Sequence, residues 1–313
     1  MTTVLDAPAA ARGDPAAELR AATAAMRLSF AWFGTRKTLS PEHRAEAADA
    51  FGADSPFLSA AKKLLDTRDP TFRSVTAVKH QAVAYFKGMS LPYPEPGIRL
   101  VRQCDVSAID VRMQELKVEL IEAVAKLDDR YAELRQAARQ RLGRLYCDAD
   151  YPASLDGLFD MAWDFPSVEP PDYLRQLSPE LYRQECERAR SRFDEAVRLA
   201  ETAFCEELSR LVEHLSERLS GDADGKPKIF RDSAITNLGE FFDRFAKLSI
   251  GSQPQLEALV ARSRQVISGV DPQALRDSQS LRGRVADQLV QVQALLDGLL
   301  VDRPRRNLIR RPR

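Results

Sequence analysis

Cysteine is scarce and scattered: Cys104, Cys147, Cys186 and Cys205 lie far apart, and none forms a C-x-x-C pair. That spacing excludes the disulfide framework of a small secreted domain, and the four read as reduced thiols. Histidine is scarcer still. His43, His80 and His214 fall on three separate predicted helices with no second His or Cys at a ligand spacing, so no zinc site is expected. Aromatic residues make up 7% of the chain, too few for a β-sandwich. No stretch approaches the roughly 20 apolar residues that span a bilayer. The Ala-rich N-terminus has neither the basic start nor the apolar core of a signal peptide, which makes the cytoplasm the expected location. Charge of one sign is also missing: 46 basic and 46 acidic residues cancel, so electrostatic recognition has to be local.

Catalytic signatures are absent as well. There is no Gly-rich phosphate loop, nucleophile elbow or H-E-x-x-H motif. Asp222-x-Asp224-Gly225 resembles part of a calcium loop, but with Gly225 as its invariant glycine the bidentate position falls on Arg231. A solvated turn is the expected reading. No catalytic residue, cofactor or metal is assigned, and an enzyme with a site invisible in the sequence ranks third among the functions considered.

What the chain does have is helical periodicity. Met113, Leu116, Leu120, Ala123, Leu127, Tyr131 and Leu134 follow alternating three- and four-residue spacing from Val106 onward. The run to Tyr146 contains no proline and predicts a helix of roughly 60 Å. A second run from Ser178-Pro179 to Ser220 carries Phe193, Val197, Ala200, Phe204, Leu208, Leu211, Leu215 and Leu219. Each stripe buries one seam. The expected fold is mainly α: a long antiparallel, coiled-coil-like helical hairpin, a small N-terminal α+β region and a C-terminal helical bundle.

The expected organisation starts with a disordered arm over 1–25. An α+β region over 26–105 follows, in which Leu28–Phe33 and Ile98–Arg102 are strand candidates able to pair as a short ribbon. Within it Ser40-Pro41, Ser55-Pro56 and Asp69-Pro70 each place a capping oxygen before a proline, predicting three helix starts. The hairpin occupies 106–220, with an insert over 147–177 at its tip. Helices over 229–300 and an Arg-rich tail over 301–313 complete the chain.

Charge singles out two surfaces. The far half of the first long helix carries Arg130, Arg135, Arg139, Arg141 and Arg144 against Glu133 alone, partly matching the helix dipole. The insert has the opposite sign, with seven acidic residues against Arg175, and holds Tyr151, Phe159, Trp163, Phe165 and Tyr173. Either it folds back and caps the basic end of the hairpin, or these five aromatics anchor a protein partner. In the tail, Arg303, Arg305, Arg306, Arg310, Arg311 and Arg313 are the candidate nucleic-acid contacts, because such a run neutralises phosphates. Pro304 and Pro312 interrupt it, so no membrane-surface helix is expected.

The segment Ser29-Phe30-Ala31-Trp32-Phe33-Gly34-Thr35-Arg36-Lys37, followed by Gly97-Ile98-Arg99-Leu100 and the helix from Val106, resembles an uncharacterised bacterial and phage domain-of-unknown-function family. Genes of that family often neighbour those for MoxR-type AAA ATPases and von Willebrand A-type proteins. The resemblance covers residues 27–220 and implies an accessory role without catalytic residues. The leading expectation is a non-enzymatic scaffold or adaptor presenting the hairpin to a protein partner, an AAA ATPase system being the one the resemblance implies. The alternative is a nucleic-acid-associated protein using the tail and the basic half of the hairpin. The pattern leaves a monomer and an intertwined dimer equally open.

Overall fold

The computed structural model describes residues 14–220, 232–251 and 253–301. The chain opens with α1 (Pro15–Ala22), β1 (Thr23–Ala31), β2 (Arg36–Thr38), α2 (Pro41–Ala50), β3 (Ala61–Lys63) and α3 (Pro70–Gly88). It continues through β4 (Ser90–Pro92), β5 (Ile98–Arg102), α4 (Val106–Asp129), α5 (Tyr131–Leu142) and β6 (Asp160–Asp164). The helices α6 (Tyr173–Leu177), α7 (Pro179–Ser220), α8 (Ser233–Leu248), α9 (Pro254–Ile267), α10 (Pro272–Asp277) and α11 (Gln279–Val301) follow. Helix dominates, with a small share of antiparallel strand. Among the described residues no helix is long and apolar enough to cross a membrane.

The chain divides into two compact units. One comprises residues up to 25, 89–103 and 166 onward; the other comprises 26–88 and 104–165. In the first, α7 is a single helix of 42 residues, about 63 Å at 1.5 Å per residue. Its buried face, Phe193, Ala196, Ala200, Phe204, Leu208, Val212 and Leu215, is covered by α11, α8 and α1. Phe204, Phe241 and Phe245 meet edge to face and stacked, with ring centroids 5.0–6.2 Å apart. Strand β5 pairs with β4, Leu91 opposite Leu100. Asp271-Pro272 opens the short α10, capped by Asp271 on the Ala274 N–H at 3.2 Å, and α11 begins separately two residues later.

In the second unit α4 lies along α3 and buries Ile109, Met113, Leu116, Leu120, Val124 and Leu127. The partner expected for that stripe is therefore corrected. Each seam is taken up inside its own unit, the first by α3 and the second by α11, α8 and α1, rather than the two burying each other in a long antiparallel hairpin. A helical stripe dictates that one face is covered, not which helix covers it.

The first long helix is also interrupted. Arg130, with φ −97° and ψ 0°, separates α4 from α5 without any Pro or Gly nearby. The interruption lies beside Asp128, whose carboxylate accepts the Leu155 N–H at 2.7 Å and the Ser154 hydroxyl at 2.9 Å. Arg130 itself reaches Asp69 at the start of α3, 3.4 Å away. Helix α5 then stops at Gly143, whose φ of 50° suits a residue without Cβ.

Three further expectations differ. Part of the supposed arm, Pro15–Ala22, is helical, capped by Asp14 and seated through the buried Ala16 and Leu19. Ser55-Pro56 starts a single 3-10 turn over Ser55–Phe57 rather than a helix. The chain after it is drawn into β3, with Leu39 N–H on Ala60 O at 3.1 Å and Leu64 N–H on Thr35 O at 2.8 Å. The insert is divided between the two units at Phe165, and its middle is a strand, β6, antiparallel to β1. Leu28 stands opposite Trp163 and Phe30 opposite Met161, so the period-two pattern of β1 meets a matching one.

Candidate functional site

The aromatics of the insert do not form one surface. Tyr151 and Phe159 are buried. Tyr151 stacks on Tyr146 at 4.9 Å and donates its hydroxyl to Leu64 O at 3.0 Å, and burial pushes its phenol up to about 12. Phe159 meets Trp32 edge to face at 4.9 Å, and Lys79 sits over Trp32 at 4.2 Å. Trp163 is half-buried and donates its indole N–H to Asp110 at 2.8 Å. Only Phe165 and Tyr173 are exposed.

Most insert acids, too, find bases within their own unit. Asp148 lies 3.5 Å from Arg135, Asp160 lies 3.0 Å from Lys117, and Asp164 accepts from Arg27 Nε at 3.0 Å and Nη2 at 2.7 Å. Asp150 is the most enclosed. Lys37 and Lys62, opposite each other across the β2–β3 ribbon, reach its two oxygens at 2.5 Å each. Burial alone would push its carboxyl up, but the hydrogen bonds and charges of the two lysines together hold it below the usual carboxylate range. Lys62 also donates to Leu145 O at 2.5 Å, tying the ribbon to the end of the α5 segment.

The basic far half of the first helix is likewise occupied. Arg130 faces Asp69, Arg141 faces Asp66 at 3.0 Å and Arg144 faces Glu46 at 3.5 Å, while Arg139 lies over the Tyr146 ring. The tail arginines, Arg303, Arg305, Arg306, Arg310, Arg311 and Arg313, lie outside the described residues, as does the Asp222–Gly225 turn. Among the described residues no group of three or more His, Cys, Asp or Glu is arranged to hold a metal ion.

Two features without a signal in the sequence stand out instead. Phe51 and Phe57 are 82% and 89% exposed. Phe51 caps α2 and is held by a two-bond reverse turn. Ala53 N–H bonds to Ala48 O at 2.9 Å and Gly52 N–H to Asp49 O at 3.1 Å, with Gly52 at φ 62°. Phe57 ends the 3-10 turn, its N–H on Asp54 O at 2.9 Å. Both rings project from hydrogen-bonded backbone, and Glu42, Glu46, Asp49 and Asp54 flank them in the sequence. The second feature is a cleft of about 690 Å³ between the Lys63–Arg68 segment and α5.

Compared with known proteins, the chain matches no family model, no curated protein and no solved structure.

Proposed function

We propose that this protein is a non-enzymatic adaptor that binds a protein partner through Phe51 and Phe57. The observation that carries the reading is their near-complete exposure on ordered turns. A large aromatic held outward by fixed backbone gives up little freedom when it enters a pocket, and aromatic anchors dominate interface energetics. Asp49 and Asp54, close to the pair in the sequence, suit an apolar pocket with a basic rim. The partner proposed is a MoxR-type AAA ATPase, taken from the family resemblance, and the setting proposed is the cytoplasm. A long hairpin is no longer needed as the presenting element, because the two turns present the rings themselves.

Nucleic-acid association has less support, since most arginines of the basic helix half are engaged with acids of the same unit. The test is light scattering of the full chain mixed with a MoxR-type ATPase from the same genome. A stoichiometric complex that is lost in Phe51→Ser/Phe57→Ser supports the reading. A complex unchanged by the double substitution, or no complex, contradicts it.

A further inference from the structure

The ribbon β2–β3 places bases opposite one another at two successive positions: Lys37 opposite Lys62, and Arg36 opposite Lys63. Like charges directly across an antiparallel pair repel, so each pair favours an anion between or beside its members. The first pair has one, since Asp150 fills the space between Lys37 and Lys62. Successive side chains leave opposite faces of a strand, so Arg36 and Lys63 face away from Asp150. Among the described residues neither forms an ion pair.

Lys63 instead lines the cleft of about 690 Å³, together with Arg68 and Arg141, and Asp66 is the one carboxylate in that lining. The cleft is half open to solvent. The floor is apolar and firm, built on Leu64 and Leu65 (3% and 2% exposed) and on Leu134 and Ala138 of α5 (9% and 6%). The rim is charged. Asp66 accepts the Arg68 backbone N–H and Arg141 Nη1, each at 3.0 Å. That arrangement leaves the Arg68 side chain 93% exposed, 3.6 Å from the Asp66 carboxylate at its Nε. Three bases against one acid leave the lining with an excess of two positive charges above an apolar base.

From this geometry we infer that the cleft binds a small organic dianion: a phosphomonoester whose phosphate meets Lys63 and Arg68, with Arg36 adjacent, and whose apolar body lies on the half-buried Leu142 above that floor. The site is distinct from the Phe51 and Phe57 surface and does not depend on the reading given for it. A nucleic acid is disfavoured as the occupant because no aromatic ring lines the cleft for bases to stack on, although its phosphates would meet the same cations.

The experiment is isothermal titration of the full chain with phenyl phosphate, inorganic phosphate, benzoate and a short oligothymidylate, at two salt concentrations. Phenyl phosphate is expected to bind at least about tenfold more tightly than inorganic phosphate or benzoate. Lys63→Gln/Arg68→Gln is expected to weaken that binding at least about tenfold, a ratio equal to 1.4 kcal/mol. Both side chains are exposed, so the variant should keep the wild-type circular dichroism and thermal midpoint. Equal affinity for phenyl phosphate and inorganic phosphate overturns the inference, because the apolar lining then contributes nothing. Tighter, salt-sensitive binding of the oligothymidylate overturns it in favour of a nucleic-acid surface. Absence of binding, or binding unaffected by the double substitution, overturns it outright.

Discussion

Asp150 and Lys62 are joined at 2.5 Å with side chains only 4% and 10% exposed, which makes this ion pair the most enclosed in the unit that contains it. Lys37 reaches the other oxygen from the exposed side. The pair links a segment that follows the helices to a ribbon that precedes them, so its loss is a loss of tertiary structure rather than of surface charge.

Replacing Asp150 with Asn leaves Lys62 enclosed without a counter-charge, and removing one partner of such a pair is costly. Asp150→Asn should destabilise the protein by about 3 kcal/mol in urea unfolding, against a smaller loss for Lys37→Ala, whose side chain is half exposed. The pH dependence has a definite sign. The folded-state value of Asp150 is lowered, so its contribution is complete above the unfolded value of about 3.9 and is lost as pH falls through the folded value. The stabilities of wild type and Asp150→Asn should converge on acidification through that window. A gap that stays constant down to the acid transition would contradict the assignment.

Asp128 carries a second long-range tie through the Leu155 N–H and the Ser154 hydroxyl. A charged acceptor of two hydrogen bonds contributes about 1.5–3 kcal/mol. Asp128→Ala should therefore lower the unfolding free energy by that amount and raise hydrogen exchange at the Leu155 amide. Unchanged protection at Leu155 would sink this account of the turn.

In the other unit, Phe241 is 1% exposed and packs against Phe204, Phe242 and Phe245. Truncating a fully buried Phe costs about 3–5 kcal/mol through lost transfer energy and the cavity left behind. Phe241→Ala should show that loss in denaturant titration, whereas Phe51→Ser and Phe57→Ser, being exposed, should stay within about 0.5 kcal/mol of wild type.

These contrasts also mark what the sequence could tell. Helix α7 and strand β5 are legible because their signals are local: a cap and proline at Ser178-Pro179, and an apolar run after the turn ending at Gly97. Strands β2, β3 and β6 carry no local signal. They are short and charged, and two of them are Arg36-Lys37-Thr38 and Asp160-Met161-Ala162-Trp163-Asp164, which alone look like solvated loop. Their identity comes from partners remote in sequence, as β6 shows by pairing with β1. The covering helix for each long stripe was illegible for a related reason, since periodicity specifies a face and not its neighbour. Tyr151 and Phe159, for which the sequence leaves capping of the hairpin and anchoring of a partner both open, are core, while Phe57, at the expected helix start Ser55-Pro56, and Phe51 before it are the exposed pair.

The most direct test of the adaptor reading is site-specific photo-crosslinking in the native cell, with a benzophenone amino acid placed at position 57 and, separately, at position 173. Tyr173 is also exposed, at 62%, and serves as the comparison. The account predicts one discrete protein adduct from position 57, identified by mass spectrometry as the MoxR-type ATPase, and lost when Phe51 is changed to Ser. Adducts from position 173 and none from position 57 would contradict it.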